Sequence, residues 1–116
     1  METIRVSSFT KEAASSSKGE ILKNYIEKCL KNNVEVAVDF SGITMFASPF
    51  FNSSFASLAL TYGFDVISGI ELINISDTGQ DTFDSSMENA RMLSENSSYT
   101  ARINEIIVEA PKKTEG

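Results

Sequence analysis

The segment SGITMFASPFF, residues 41–51, is the part of the chain whose residue types best suggest chemistry. Its Ser48 could accept a phosphate, because a phosphoserine at a helix start faces free N–H groups and the positive end of the helix dipole. Ser48 is also a favourable N-cap, since Pro49 suits the first position of a helix. The residues alone favour the capping role, and phosphorylation is the sharper hypothesis.

Apolar side chains around Ser48 predict a docking surface for a protein partner. Phe50 is expected to be exposed there, because Phe51 and Phe55 set the buried face of the helix that follows. A phosphate on Ser48 would add about two negative charges to this surface and weaken binding. The predicted partner-binding residues are Ile43, Thr44, Met45, Phe46, Ser48 and Phe50.

The residue types exclude the commonest catalytic and metal centres. The chain has no histidine and one cysteine, Cys29, so neither a Cys/His zinc site nor a Ser-His or Cys-His nucleophile can be built. Residues 77–81 superficially resemble a calcium loop but lack its spacing and closing glutamate. We therefore expect no enzymatic activity, no metal and no cofactor, and we expect Cys29 to lie in the core.

Size and charge narrow the possible partners. The chain has 116 residues and a formal net charge of -6, with no Lys/Arg cluster for a phosphate backbone, so we expect no nucleic-acid binding. Its first residues do not form a signal-peptide pattern, and no apolar run reaches membrane-spanning length. These observations predict a cytoplasmic protein that does not bind membranes.

Three strands are predicted from hydrophobic patterning. Residues 2–8 alternate apolar and polar side chains, which predicts a short edge strand with one polar face. Residues 34–40 form the clearest strand, with valines and a phenylalanine on one side. The nearly continuous apolar run over residues 70–75 predicts a strand covered on both faces, as in a parallel sheet.

Helix starts are predicted from capping residues. The three starts are Ser17 with Glu20, Ser48 with Pro49, and Asp77 with Gln80. Gly63 is expected to end the second helix, because glycine readily adopts the conformation that closes a helix. The third ends near residues 94–98, and the pattern over residues 99–110 fits either a helix or a strand.

Alternating strands and helices predict an α/β fold, with a small, mostly parallel sheet of three to four strands and helices packed on it. We expect one domain over residues 1–110 and a polar tail over residues 111–116. Binding sites in open parallel sheets lie beyond the carboxyl ends of the strands. Asp39, at the end of the clearest strand, is therefore expected to orient the loop that carries Ser48.

The central block VEVAVDFSGITMFASPFFNSSFASLAL resembles the STAS-like domain family of unknown function. The resemblance is strongest in this block and covers roughly residues 18–108, including the later IELINIS and the helix after it. The elements that carry it are Asp39–Phe40, Ser41–Thr44, Ala47–Ser48 and Ser54–Ala56.

The resemblance implies a relation to the STAS domains of anti-sigma-factor antagonists. Those are small α/β domains that bind a kinase-type anti-sigma factor, and phosphorylation of a serine at a helix start releases the partner. Ser48 matches that serine, although Ala47 precedes it where the antagonists usually carry Asp. Ser53 and Ser54 are fallback acceptors, with a purely structural role as the simpler interpretation of each.

The leading hypothesis is a non-catalytic regulatory module that binds a protein partner, a kinase-like ATP-binding regulator, through the loop and helix start around Ser48. Serine phosphorylation would switch this binding. One alternative is a sensor for a small ligand or nucleotide at the same strand ends. A second is a structural homodimer formed through the first strand or the C-terminal segment.

Overall fold

The structure of the protein is a computed structural model in which residues 1–95 are described. Predictions for residues 99–110 and for the tail at residues 111–116 lie outside this range. The elements are β1 Glu2–Arg5, a 3₁₀ turn Val6–Ser8, α1 Ser16–Lys31, β2 Val36–Asp39, α2 Ser48–Phe51, a π-helical segment Asn52–Ala56, α3 Ser57–Tyr62, α4 Phe64–Ser68, β3 Glu71–Ile73 and α5 Asp77–Glu95.

The three strands form one parallel sheet in the order β1-β2-β3. Ile4 pairs with Val38, and Val38 pairs with Leu72 across the sheet. All four residues of β2 are buried, whereas three of the four in β1 are exposed. The predicted parallel α/β architecture is therefore confirmed for the described chain, with β1 as one of its two edge strands.

The segment Ser48–Tyr62, made of α2, the π-helical segment and α3, runs without a break and is called the central helix below. It lies between α1 and α5. Gly63 ends it with a φ of 105°, a backbone angle that side-chain-bearing residues rarely adopt. The prediction that Gly63 ends this helix is thus confirmed, while the short helix α4 directly after it was not predicted.

The predicted caps of α1 and α5 are wrong by two positions and one position, respectively. Ser15, rather than Ser17, caps α1, and its Oγ accepts from the Lys18 N–H at 3.3 Å. Ser76, rather than Asp77, caps α5 and accepts from the Gly79 N–H at 3.1 Å. Because serine and aspartate cap about equally well, neighbouring candidates cannot be separated by residue type alone.

Phe51 lies at the centre of the hydrophobic core. Its ring centroid is 5.4 to 6.3 Å from those of five other phenylalanines, namely Phe40, Phe46, Phe50, Phe55 and Phe83. These rings come from the loop that follows β2, which begins at Phe40, and from the central helix and α5. Offset and edge-to-face pairs of this kind contribute roughly 0.5–1.5 kcal/mol each beyond area burial. The cluster therefore joins the sheet to two of its helices.

Gly19 allows α1 to approach the central helix closely. A Cβ atom at this position would overlap the Ser53 Oγ and the Phe50 carbonyl oxygen. The Ser53 Oγ also donates to the Ser16 carbonyl at 3.0 Å, which joins the same two helices. The first turns of α1 are thus in contact with the backbone of the helix that begins at Ser48.

No helix within residues 1–95 is both long and apolar enough to cross a lipid bilayer.

Substitution Gly19→Ala should lower the free energy of unfolding by about 2 kcal/mol, because the added methyl group forces apart two packed backbones. Urea unfolding measures this change. Gly69→Ala is the matched control, since a Cβ there would lie 3.4 Å from its nearest neighbour, the Val66 carbonyl oxygen. We expect the control to change stability by less than about 0.5 kcal/mol. Equal stabilities for the two variants would contradict the close approach.

Candidate functional site at the carboxyl edge of the sheet

The Asp39 carboxylate links the carboxyl ends of all three strands. Its Oδ1 accepts from the Ser41 N–H at 2.9 Å and from the Ser41 Oγ at 2.7 Å. The same oxygen accepts from the Asn74 Nδ2, just beyond β3, at 3.1 Å. Its Oδ2 lies 3.6 Å from the Arg5 Nε at the end of β1. We call these four residues the Asp39 cluster.

Asn74 reaches Asp39 because its backbone turns sharply after β3. Its φ is 57°, in the left-handed region that asparagine tolerates better than most residues. Neither Asn74 nor Arg5 was predicted as a site residue. The sequence did contain a signal that could have identified them, because polar residues that end neighbouring parallel strands lie at the same edge of the sheet.

Hydrogen bonds from the Ser41 side chain, and then from Asn74 and the Ser41 backbone, lower the pKa of Asp39 to about 2. The nearby Arg5 guanidinium makes a smaller contribution to the same lowering of the pKa. Asp39 is therefore ionised at neutral pH, and its Oδ1 is occupied by three donors of this chain. A carboxylate in that state suits the orienting role predicted for it and is a poor proton donor.

The loop after β2 is held at its far end by a second segment of the chain. The Ala13 N–H donates to the Met45 carbonyl at 2.9 Å, and the Ala47 N–H donates to the Ala13 carbonyl at 2.9 Å. Between these bonds the half-buried Phe46 ring packs beside Phe40 and against Gly79. The loop is thus fixed by its backbone and by one aromatic side chain.

Four side chains remain exposed where this loop enters the central helix. They form what we call the exposed rim, which consists of Thr44, Met45, Ser48 and Pro49. Met45 is the largest apolar member, with 53% of its surface accessible. Three of the predicted partner-binding residues, Thr44, Met45 and Ser48, therefore lie at the surface and close together in the chain.

The predicted exposure of Phe50 is wrong, because its side chain is 0% accessible. The central helix packs against α1 and α5. Consequently it buries Phe50 as well as Phe51. The central helix is therefore buried on more than the one face that the spacing of Phe51 and Phe55 predicted. Ile43, a second predicted contact residue, is also buried. Neither side chain can touch a partner unless the domain rearranges.

Ser48 is the first residue of α2, and the predicted N-cap role is wrong. Ala47 occupies the cap position with an extended backbone, φ -147° and ψ 151°. Its N–H is used in the bond to Ala13, which keeps Ala47 outside the helix. The Ser48 side chain is exposed, and its hydroxyl makes no hydrogen bond to any residue between 1 and 95.

The two fallback acceptors are engaged inside the fold. The Ser54 Oγ is fully buried and donates to the Phe50 carbonyl at 2.7 Å. The single hydroxyl hydrogen of Ser53 is shared between the Pro49 carbonyl at 2.9 Å and the Ser16 carbonyl of α1 at 3.0 Å. A kinase could reach neither hydroxyl as freely as that of Ser48.

The other residues that were considered for chemistry lie where a structural role explains them. Cys29 is half-buried against the core, and burial raises the pKa of its thiol. Asp77 lies in the first turn of α5, where the helix dipole stabilises its negative charge. The same charge would repel a phosphate at this helix start. Over the described range, no group of three or more Cys, Asp or Glu side chains could hold a metal ion.

A three-stranded parallel sheet with helices packed on it, and a loop held at its carboxyl edge, defines a small α/β domain. The model of the family described as a STAS-like domain of unknown function matches residues 18–80, more than half of the chain. The chain belongs to that family. No curated protein and no solved structure shows significant similarity to it.

Replacement Asp39→Asn should lower the free energy of unfolding at neutral pH and should do so less at low pH. Because the folded-state pKa is depressed from 3.8 to about 2, the ionised carboxylate stabilises the fold above pH 3.8. That contribution is lost as the pH falls through about 2. Urea unfolding of both proteins across this range should show the difference shrinking.

The control for this experiment is Glu71→Gln, which removes an exposed carboxylate from the same sheet. Its effect on stability should be small at every pH, because surface charges without a close partner contribute little. A stability difference between wild type and Asp39→Asn that stays constant down to pH 2 would contradict the ionised, hydrogen-bonded state of Asp39.

Proposed function

We propose that the protein is a non-catalytic regulatory module that binds a protein partner through the exposed rim. The observation that carries this proposal is that Met45, on a loop whose backbone is bonded to Ala13, and Ser48, the first residue of α2, are both exposed, the Ser48 hydroxyl being unbonded within residues 1–95. Apolar side chains on rigid supports make good interface anchors, because little freedom is lost when they are buried.

Met45 is the proposed anchor of the interface. Half of its surface is accessible, and burying a methionine side chain completely is worth roughly 1.5–3 kcal/mol. Its own carbonyl is bonded to Ala13, so the backbone beneath the side chain is already ordered before binding. Methionine also adapts its shape to a partner, which suits a surface that must bind and release.

Ser48 is the proposed switch. A phosphate on its Oγ would lie in the first turn of the central helix, where negative charge is favoured by the dipole. It would therefore be tolerated by the fold while placing about two negative charges close to Met45 along the chain. A partner surface matched to the unmodified rim would then be repelled. A kinase-like ATP-binding regulator could supply both the binding surface and the phosphate.

Replacement Met45→Asp should abolish partner binding without unfolding the domain, since it puts a charge into the proposed apolar contact. Affinity capture from the source cells, followed by mass spectrometry, identifies proteins bound by wild type and lost by the variant. Leu60→Asp is the matched control, because Leu60 is 52% exposed and lies on α3, remote from the loop in sequence. Partners that survive Met45→Asp unchanged would refute the rim as the interface.

The captured partner provides the test of the switch. Incubation of the complex with ATP should add a phosphate to Ser48 and should release the partner. Ser48→Ala should bind normally but fail to dissociate, whereas Ser85→Ala, at an exposed serine on α5, should behave as wild type. A phosphate mapped only to other residues would remove Ser48 from the proposal while leaving the Met45 interface intact.

A further inference from the structure

A second surface lies between α4 and α5, away from the exposed rim. A groove of about 340 Å³ runs there, lined on α4 by Phe64, Ile67 and Ser68 and on α5 by Phe83, Asp84, Met87, Glu88 and Arg91. Phe64, Phe83 and Met87 are only partly buried, although all three pack against the core. The groove therefore has an apolar floor that is accessible in the described part of the chain.

Acidic side chains follow the α5 side of this groove. Asp84 and Glu88 line the groove, and Asp81 lies one turn earlier on the same face of α5, outside the lining. Asp65 on α4 is exposed but does not line the groove. Within residues 1–95 none of the four forms a salt bridge, since the single ion pair there joins Arg5 to Asp39.

One cation, Arg91, closes the far end of the groove. Its guanidinium lies 4.6 Å from the centroid of the Phe64 ring. The guanidinium thus makes a cation–π contact with Phe64 and forms no ion pair with the carboxylates of α5. The groove therefore presents apolar surface beside two carboxylates, Asp84 and Glu88, and one cation, Arg91. Its length along α5, from Phe83 to Arg91, corresponds to roughly two helical turns or about 12 Å.

We propose that this groove binds a basic amphipathic helix of a partner protein. Apolar residues on one face of that helix would fill the floor at Phe64, Phe83 and Met87. Lysine or arginine residues on its flank would pair with Asp84 and Glu88. Helix-in-groove binding depends on apolar anchors at helical spacing and on complementary charges beside the groove.

The test uses a synthetic peptide of about three turns with leucines on one face and lysines on both flanks. Titrated into the ¹⁵N-labelled full chain, it should shift the amide signals of residues 64–68 and 83–91. The double variant Asp84→Lys/Glu88→Lys should weaken its binding about tenfold, because two favourable charge pairs become repulsive. A peptide with glutamates in place of the lysines should not bind.

The matched control is Glu35→Lys/Glu71→Lys, which changes the net charge equally at exposed sites outside the groove. It should retain most of the affinity. Equal losses in the two double variants would mean that net charge alone attracts the peptide, and the proposal would be wrong. Groove signals that move with protein concentration in the absence of peptide would assign the groove to a second copy, which also overturns the proposal.

Discussion

An ionised carboxylate at the end of the central strand holds the carboxyl edge of this domain together. Asp39 accepts from Ser41 in its own loop and from Asn74 after β3, and it pairs with Arg5 at the end of β1. Parallel strands bring these residues to one edge, and hydrogen bonding to the charged form keeps the carboxylate ionised. The loop that leads to Ser48 therefore begins at a fixed point.

The far end of the same loop depends on packing. Phe46 lies beside Phe51 in a stacked arrangement with centroids 6.3 Å apart, and Phe51 in turn meets Phe83 of α5 edge to face. The backbone bonds between Ala13 and the loop add a second restraint. As a result the exposed Met45 lies on a loop that is bonded to the sheet and packed against the core, and the exposed Ser48 begins the helix directly after it. Such ordering before binding reduces the entropy cost of an interface.

The order of strands and helices was predictable because hydrophobic periodicity and capping residues depend on neighbours in sequence. Structural details that depend on contacts between residues distant in sequence could not be predicted in this way. Phe50 is buried because α1 packs on the side of the central helix that periodicity assigned to solvent. Ala47 replaces Ser48 as the cap because Ala13, far away in sequence, holds its N–H. The left-handed backbone of Asn74 is likewise explained by a distant contact, the hydrogen bond from its side chain to Asp39.

Amide hydrogen exchange at Ala13 and Ala47 tests most directly whether the rim is carried on a fixed loop. Both N–H groups donate backbone bonds between the two loops. Both should exchange as slowly as the Phe40 amide, which is bonded to the Ile73 carbonyl within the sheet region. Exchange of the Ala13 and Ala47 amides at the rate of an unstructured peptide would show that the loop is mobile and would contradict a fixed support for the exposed rim.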